Sequence, residues 1–198
     1  MTATKTTFVL GKVKATTALA VCQSYEVPEE VQVILDSNPG ALAFLDALLG
    51  QERLEHHAVD YLAHALPKRE AVWWACLGLW GLGPKPLKAQ DQAALTAAVR
   101  WVVQPSEETR RAAEKPAEQA GLGTPAGCLA RGVFDSGGSL APPNLPAIEP
   151  GATMTNLEVQ GALHLLALQS PPDRIQAAYH QLIALGLGVA QGKYHWAP

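Results

Sequence analysis

The sequence predicts an all-α protein that folds as a single domain. Alanine and leucine supply 33 and 27 of the 198 residues, whereas isoleucine and valine together supply 18, a balance that favours helices over strands. Hydrophobic residues make up 48% of the chain and charged residues 17%, which provides a sizeable core and argues against global disorder. A chain of this length is typical of one domain. We therefore expect about seven or eight short helices packed as antiparallel hairpins.

Composition also excludes several classes of protein. With 15 basic and 18 acidic residues the net charge is -3, so the chain lacks the basic field that binding to nucleic acid requires. The most apolar segment, residues 71–82, is well short of the roughly 20 residues that cross a bilayer. Cys22, Cys76 and Cys128 are odd in number and far apart, which indicates neither a disulfide framework nor a zinc site. We expect a cytoplasmic protein without nucleic-acid binding or membrane insertion.

The N-terminal part of the chain divides into a lead-in and the start of the helical domain. Residues 1–26 mix threonine, lysine and valine without a helical period, so we expect a loosely structured lead-in. A helical domain is predicted over residues 27–190, with a C-terminal tail over residues 191–198. Asn38-Pro39 is a typical cap and first turn, and it predicts a helix over residues 41–49.

Two further helices follow in the sequence. Apolar residues at helical spacing predict a helix over residues 54–65 with a charged opposite face. The next helix, from Pro67 to Trp80, is apolar nearly all round, so we place it at the centre of the fold. It also carries Trp73 and Trp74. At least two of its three tryptophans should be core residues, and Trp74 is the candidate for contact with a partner.

Caps and prolines predict the remaining helices. Pro116 should cut or kink the helix that it interrupts. Thr155-x-x-Glu158 is a capping-box pattern and should begin a helix. Four other signals each predict a helix. In chain order they are the apolar stripe Leu95–Val102 before Pro105, Ser106 with Glu107 and Glu108, Thr124-Pro125, and Ser170-Pro171-Pro172-Asp173.

Residues 135–153 are predicted to form an extended arm, because glycine and proline are too frequent there for a helix. We expect Leu140, Leu145 and Ile148 to pack over the helices and to hold the arm against the domain. Proline stiffens the arm, so docking it costs less entropy. The arm also offers the main candidates for contact with a protein partner, namely Ser136, Gly137, Gly138, Leu140, Leu145 and Ile148.

The first residues of the arm permit a second interpretation. Asp135-Ser136-Gly137-Gly138 matches the tetrapeptide around the nucleophile of trypsin-like serine proteases. That fold is a pair of β-barrels, and no histidine and aspartate pair stands out here as the partners of a serine nucleophile. We favour a plain turn that connects a helix to the arm.

Histidines and carboxylates cluster in the helix predicted over residues 54–65. His57, Asp60 and His64 are spaced i, i+3, i+7 and could converge on one metal ion. These positions point away from the apolar stripe of the helix, where nothing would exclude water or orient the ligands. We therefore interpret the cluster, which is Glu55, His56, His57, Asp60 and His64, as solvated surface and expect no metal or other cofactor.

Two polar residues outside that cluster invite a structural interpretation. His164 lies in an apolar run and has no carboxylate within a helical turn, so we expect a packed or partner-facing side chain. Glu70 begins the predicted central helix, and we expect it to form an ion pair with Arg110 or Arg111 across the fold.

Several strings of the sequence resemble one known family. They are Leu66-Pro67-Lys68-Arg69-Glu70-Ala71-Val72-Trp73-Trp74-Ala75-Cys76, Arg110-Arg111-Ala112-Ala113, Thr124-Pro125-Ala126-Gly127, Ser136-Gly137-Gly138-Ser139-Leu140-Ala141-Pro142-Pro143 and Ala184-Leu185-Gly186-Leu187-Gly188. The likeness is to an uncharacterised bacterial family of alanine-rich helical proteins, a domain of unknown function often encoded near type VI secretion clusters. It covers residues 40–190. Cys128 and Asp135 depart from it, since the family places aromatic residues at those positions.

The resemblance implies a cytoplasmic accessory role and carries over no catalytic residue. Together with the absence of a phosphate-binding glycine loop and of paired acids in an apolar setting, it favours a non-enzymatic interaction module. Its partner would be another protein, such as a component or effector of a secretion system. The alternative is a small metal-dependent or hydrolytic enzyme that uses His56, His57, Asp60 and His64 or the loop at Ser136. The oligomeric state stays open.

Overall fold

A computed structural model describes residues 10–51 and 53–196, and the regular structure in these ranges is helical. A short 3₁₀ turn, Pro172–Arg174, precedes the last helix. The prediction of an all-α single domain is confirmed, with more and shorter helices than we expected. The α-helices are Ala18–Cys22 (α1), Glu29–Leu35 (α2), Ala41–Leu49 (α3), Glu55–Ala65 (α4), Lys68–Leu82 (α5), Ala89–Val103 (α6), Glu107–Arg111 (α7), Glu114–Ala120 (α8), Pro125–Phe134 (α9), Met154–Leu168 (α10) and Ile175–Ala190 (α11).

Short helices account for the difference in number. The hydroxyl of Ser106 caps α7 by accepting a hydrogen bond from the Thr109 N–H at 3.2 Å. Pro116 lies in the first turn of α8, where its missing N–H costs no hydrogen bond. The proline therefore belongs to the start of a separate helix and does not kink a longer one.

The capping box predicted for α10 is absent. The helix begins at Met154, and Thr155 is buried inside its first turn. Close packing on α9 explains this burial, because a Cβ built on Gly132 would lie 3.3 Å from the Thr155 carbonyl oxygen. Because Thr155 lies inside the helix, past the N-cap position at Thr153, its side chain does not cap α10.

Helix α5 occupies the centre of the fold, where it packs against α6, α9, α10 and α11. The Trp74 side chain is fully buried, and its indole N–H donates a hydrogen bond to the Leu182 carbonyl at 2.7 Å. A Cβ built on Gly186 of α11 would lie only 2.6 Å from the Trp74 ring, so a glycine is required for this approach. Trp74 is therefore a core residue, and its assignment as a partner contact is wrong. Trp80 is the exposed tryptophan of α5, at 42%.

The N-terminal end of the described chain contacts the helical domain. Of the predicted lead-in, residues 1–9 lie outside the described residues, while Leu10 is buried and the Lys12 N–H donates to the Ala190 carbonyl at 3.0 Å. Lys12 also forms an ion pair with Glu70 at 3.2 Å. The expected pairing of Glu70 with an arginine across the fold is therefore wrong.

No helix in the described part of the chain is both long and apolar enough to cross a membrane.

Candidate functional site

Two arginines of α7 hold the arm against the helices. The guanidinium of Arg110, which is 3% exposed, donates to the carbonyl oxygens of Phe134 and Ser139, the latter at 2.9 Å. Arg111 donates to the carbonyl oxygens of Ser139 and Ala141 at 2.9 and 3.0 Å. The arm is thus attached through its backbone, and we call Glu107, Arg110 and Arg111 the arginine clamp.

Glu107 orients both arginines of the clamp. Its carboxylate accepts hydrogen bonds from Arg110 at 2.7 and 2.8 Å and from Arg111 at 2.6 Å. The bond from Arg110, followed by that from Arg111, lowers the pKa of Glu107 to about 2. The clamp also explains a glycine of the arm. Gly138 has φ +61, and a Cβ there would lie 2.9 Å from a Glu107 carboxylate oxygen.

Residues 140–148, which we call the proline loop, are closed by their own hydrogen bonds. The Leu140 N–H donates to the Ile148 carbonyl at 2.8 Å, and the Ile148 N–H donates to the Ser139 hydroxyl at 3.1 Å. A turn at the tip is closed by the Leu145 N–H, which donates to the Pro142 carbonyl at 3.0 Å. The loop therefore has a defined backbone with its ends tied together, as in a compact Ω-loop.

Two large apolar side chains of the proline loop are exposed to solvent. Leu145 is 55% exposed and Ile148 is 59% exposed, while Leu140 is partly buried. The prediction that all three pack over the helices is wrong for Leu145 and Ile148. The reason is that the clamp binds the loop by its carbonyl groups, so these two side chains are not needed for attachment.

The root of the arm is bound to the helices by polar contacts. Lys68 of α5 donates to the Ser136 carbonyl at 2.9 Å. Gly137 is partly buried beside it. Within the described residues, no hydrogen bond joins the Ser136 hydroxyl to a histidine or a carboxylate. The geometry of a serine nucleophile is therefore not assembled at this loop.

The two departures from the family likeness have local explanations. The carboxylate of Asp135 is fully buried and accepts a hydrogen bond from Arg131 at 2.9 Å. The guanidinium of Arg131 in turn lies 5.3 Å from the centre of the Phe134 ring. The Cys128 thiol donates to the Leu122 carbonyl at 2.9 Å. Both side chains are thus accounted for by polar contacts in this structure.

A second polar centre lies on α4, on the face that we predicted to be solvated. His57 and Asp60 are each 7% exposed, because α10 and α11 cover this side of the helix. The Asp60 carboxylate accepts from His57 Nδ1 at 3.3 Å and from His164 Nε2 at 2.5 Å. His57 Nε2 lies 2.7 Å from the Glu30 carboxylate, and His164 Nδ1 lies 2.9 Å from the Tyr179 hydroxyl. We call these five residues the histidine network.

Hydrogen bonds within the histidine network shift the pKa values of its members. Burial would raise the pKa of Asp60, but the hydrogen bonds from His164 and His57 outweigh it and hold that pKa at about 2. The bond to Asp60 raises the pKa of His57 against the opposing effect of burial. Burial, together with the neighbouring His57, lowers the pKa of His56. The network therefore favours the anionic form of Asp60, and the pKa of the adjoining His56 is lowered.

The predicted trio of His57, Asp60 and His64 does not converge on one point. His64 Nδ1 lies 2.9 Å from the Ser24 hydroxyl, and its Nε2 lies 3.1 Å from the side-chain oxygen of Gln160. Among the residues that the structure describes, ligand atoms approach one another, all within 4.8 Å, at Glu30, His56 and His57. The interpretation of the whole cluster as solvated surface is wrong for Glu55, His57 and Asp60, all of which are buried.

A cleft adjoins the histidine network. It measures about 620 Å³ and lies between the first turns of α4 and α11. His56 and Tyr179 line it, together with Glu55 and Gln176. The Glu55 carboxylate accepts hydrogen bonds from Gln176 at 2.8 Å and from His180 at 3.3 Å. The cleft is therefore lined in part by polar groups and is open to solvent.

Sequence reasoning missed the partners that complete both centres. Glu30, His164 and Tyr179 lie on three other elements than Asp60, so no local spacing could connect them with it. For the arginine clamp, unlike the histidine network, a local signal was present in the sequence. Its carboxylate and arginines stand three and four positions apart, and opposite charges at that spacing form pairs on one helix face.

Comparison with known proteins relates the chain to a family without an assigned activity. No curated protein and no solved structure matches the chain. The model of a family of unknown function, DUF6931, matches residues 44–190, a range that includes α4–α11 and the whole arm. Because that match covers most of the chain, the protein is a member of the family DUF6931.

Proposed function

We propose that the protein is a non-enzymatic protein-binding module, an adaptor or accessory factor whose contact surface is the proline loop. The observation that carries the proposal is the exposure of Leu145 and Ile148 on a loop with a fixed backbone. Large apolar side chains on such a loop are suited to insertion into a groove of another protein.

The attachment of the loop supports binding at low entropic cost. Its ends are joined by hydrogen bonds, the arginine clamp holds its base, and prolines at positions 142, 143 and 146 stiffen its tip. A loop that is ordered before binding loses less conformational freedom when the complex forms. The partner would offer an apolar groove, as domains that recognise proline-rich segments do.

The resemblance described above supports a partner class. It links the chain to genes near type VI secretion clusters, so we propose that the partner is a component or effector of such a system. The module would act in the cytoplasm. Both parts of this proposal depend on the resemblance, whereas the position of the contact surface depends on the loop geometry.

Site-specific photo-crosslinking in the native cell tests the contact surface. A photoreactive phenylalanine analogue placed at position 145 or 148 should form one defined crosslinked species with a partner protein. Positions 122 and 168 are matched controls, because Leu122 is 55% exposed and Leu168 is 59% exposed elsewhere on the surface. We expect no such species from the controls.

The identity of the crosslinked protein tests the partner class. A secretion component recovered from positions 145 and 148 supports the proposal in full. A defined partner from outside such systems would retain the binding module and overturn the link to secretion. If the four positions crosslink to the same background proteins, the proline loop is not a contact surface and the proposal fails.

A further inference from the structure

Three potential metal ligands meet where α2 approaches α4. Glu30 comes from α2, whereas His56 and His57 are neighbours in the first turns of α4. The Glu30 carboxylate lies 2.7 Å from His57 Nε2, and the centres of the two imidazole rings are 3.8 Å apart. One ligand atom from each residue lies within 4.8 Å of the other two. Small side-chain rotations would bring all three to one ion.

A fourth residue, Asp60, orients one of the three ligands, His57. His57 uses its other ring nitrogen, Nδ1, to contact Asp60, which is buried and is held in turn by His164. A carboxylate that accepts from the second nitrogen of a histidine ligand fixes the ring and increases its basicity. The absence of such support was the sequence argument against a metal site, and the structure supplies it.

We propose that Glu30, His56 and His57 form a binding site for one divalent transition-metal ion of the zinc class. Two imidazoles and a carboxylate are ligands that such ions accept. The ion would take the place of the proton between His57 Nε2 and Glu30, and the negative charges of Glu30 and Asp60 would offset its charge. The Glu30 side chain is 62% exposed, so an ion can enter from solvent.

The position of the site indicates what a bound ion would do. It would cross-link α2 to α4, two helices that the hydrogen bond between Glu30 and His57 joins at this point. Three protein ligands leave a coordination position open on a tetrahedral ion. Because His56 also lines the neighbouring cleft, that position can accept water or a small anionic ligand.

Metal titration of the untagged, chelator-treated protein tests the site. Co²⁺ is followed by its visible absorption bands and Zn²⁺ by calorimetry, with the unmodified protein expected to bind one ion per chain. Glu30→Gln and His56→Gln should each weaken binding by about tenfold or more. Glu29→Gln and His195→Gln are matched controls, since Glu29 is the exposed neighbour of Glu30 and His195 is exposed in the tail. The controls should bind like the unmodified protein.

Two results would overturn the proposal. One is the absence of saturable binding by the unmodified protein. The other is binding that Glu30→Gln and His56→Gln weaken no more than the controls do, which would place the ion elsewhere. Both test variants alter side chains that are not fully buried, so circular dichroism should confirm that they fold and that a loss of affinity reflects lost ligands.

Discussion

Helix α5 and the proline loop are both rich in apolar side chains, yet they are held in the molecule by opposite means. Trp74 of α5 buries its whole side chain, and only its indole N–H forms a polar contact. The loop instead binds by its carbonyl oxygens to the arginine clamp and leaves Leu145 and Ile148 in solvent. Apolar residues thus stabilise the fold in one region and are available to a partner in the other.

The largest effect should come from the tryptophan of α5. Trp74→Ala should lower the free energy of unfolding by about 3–5 kcal/mol, because it leaves a cavity against α11 and removes the hydrogen bond to Leu182. Trp80→Ala, at the exposed end of the same helix, should cost under about 1 kcal/mol. Urea unfolding of both variants measures the difference. Equal losses would show that burial does not separate the two tryptophans.

Removal of the buried arginine from the clamp should have the next largest effect. Arg110→Ala leaves the carbonyls of Phe134 and Ser139 without this donor and should cost about 2–4 kcal/mol. It should also speed proteolysis within residues 139–148. Arg100→Ala is the matched control, because Arg100 is 62% exposed, forms only a long pair with Glu108 at 3.6 Å and should cost about 1 kcal/mol or less. If Arg110→Ala leaves cleavage of the loop unchanged, the clamp does not hold it.

The clamp should also give a modest dependence of stability on pH. Its arginines lower the pKa of Glu107 from 4.5 to about 2, so the ionised carboxylate stabilises the fold above pH 4.5. That contribution is lost as the pH falls from 4.5 towards 2. Because Glu107 is 55% exposed, it should amount to only about 1 kcal/mol.

Glu107→Gln tests this dependence. The variant should be less stable than the unmodified protein at pH 7, and the difference should shrink towards zero near pH 2 in urea titrations. Glu108→Gln serves as the control, since that neighbour is 83% exposed and forms a longer pair, at 3.6 Å, with Arg100. A difference that stays constant with pH would contradict the assignment to Glu107 ionisation.

The smallest effect on stability should come from the loop side chains. Leu145→Ser combined with Ile148→Ser should change the free energy of unfolding by under about 0.5 kcal/mol, because both side chains are already in water. Leu163→Ala, on the buried face of α10, should cost about 2–5 kcal/mol and is the reference for loss of a core side chain. A loss above about 2 kcal/mol from the loop pair would mean that these residues pack on the domain, as we expected from the sequence.

Local signals in the sequence predicted most of the longer helices and the centre of the fold. Ser106 and Thr124 accept hydrogen bonds from the N–H groups of Thr109 and Gly127, as side chains at these cap positions should. The apolar surface of α5 predicted that several helices pack around it, and the structure shows this packing. Caps and periodicity act within a few residues, so the sequence contains them in readable form.

Tertiary structure alone decided which polar groups from distant parts of the chain meet. The sequence separates Asp60 from His164 by 104 positions, and the packing of α4 on α10 joins them. The charged face of α4 looked solvated because an apolar stripe shows only which side must be buried. A polar face can be buried as well when a neighbouring helix supplies hydrogen-bond partners for it, and the identity of that neighbour depends on the packing of the whole chain.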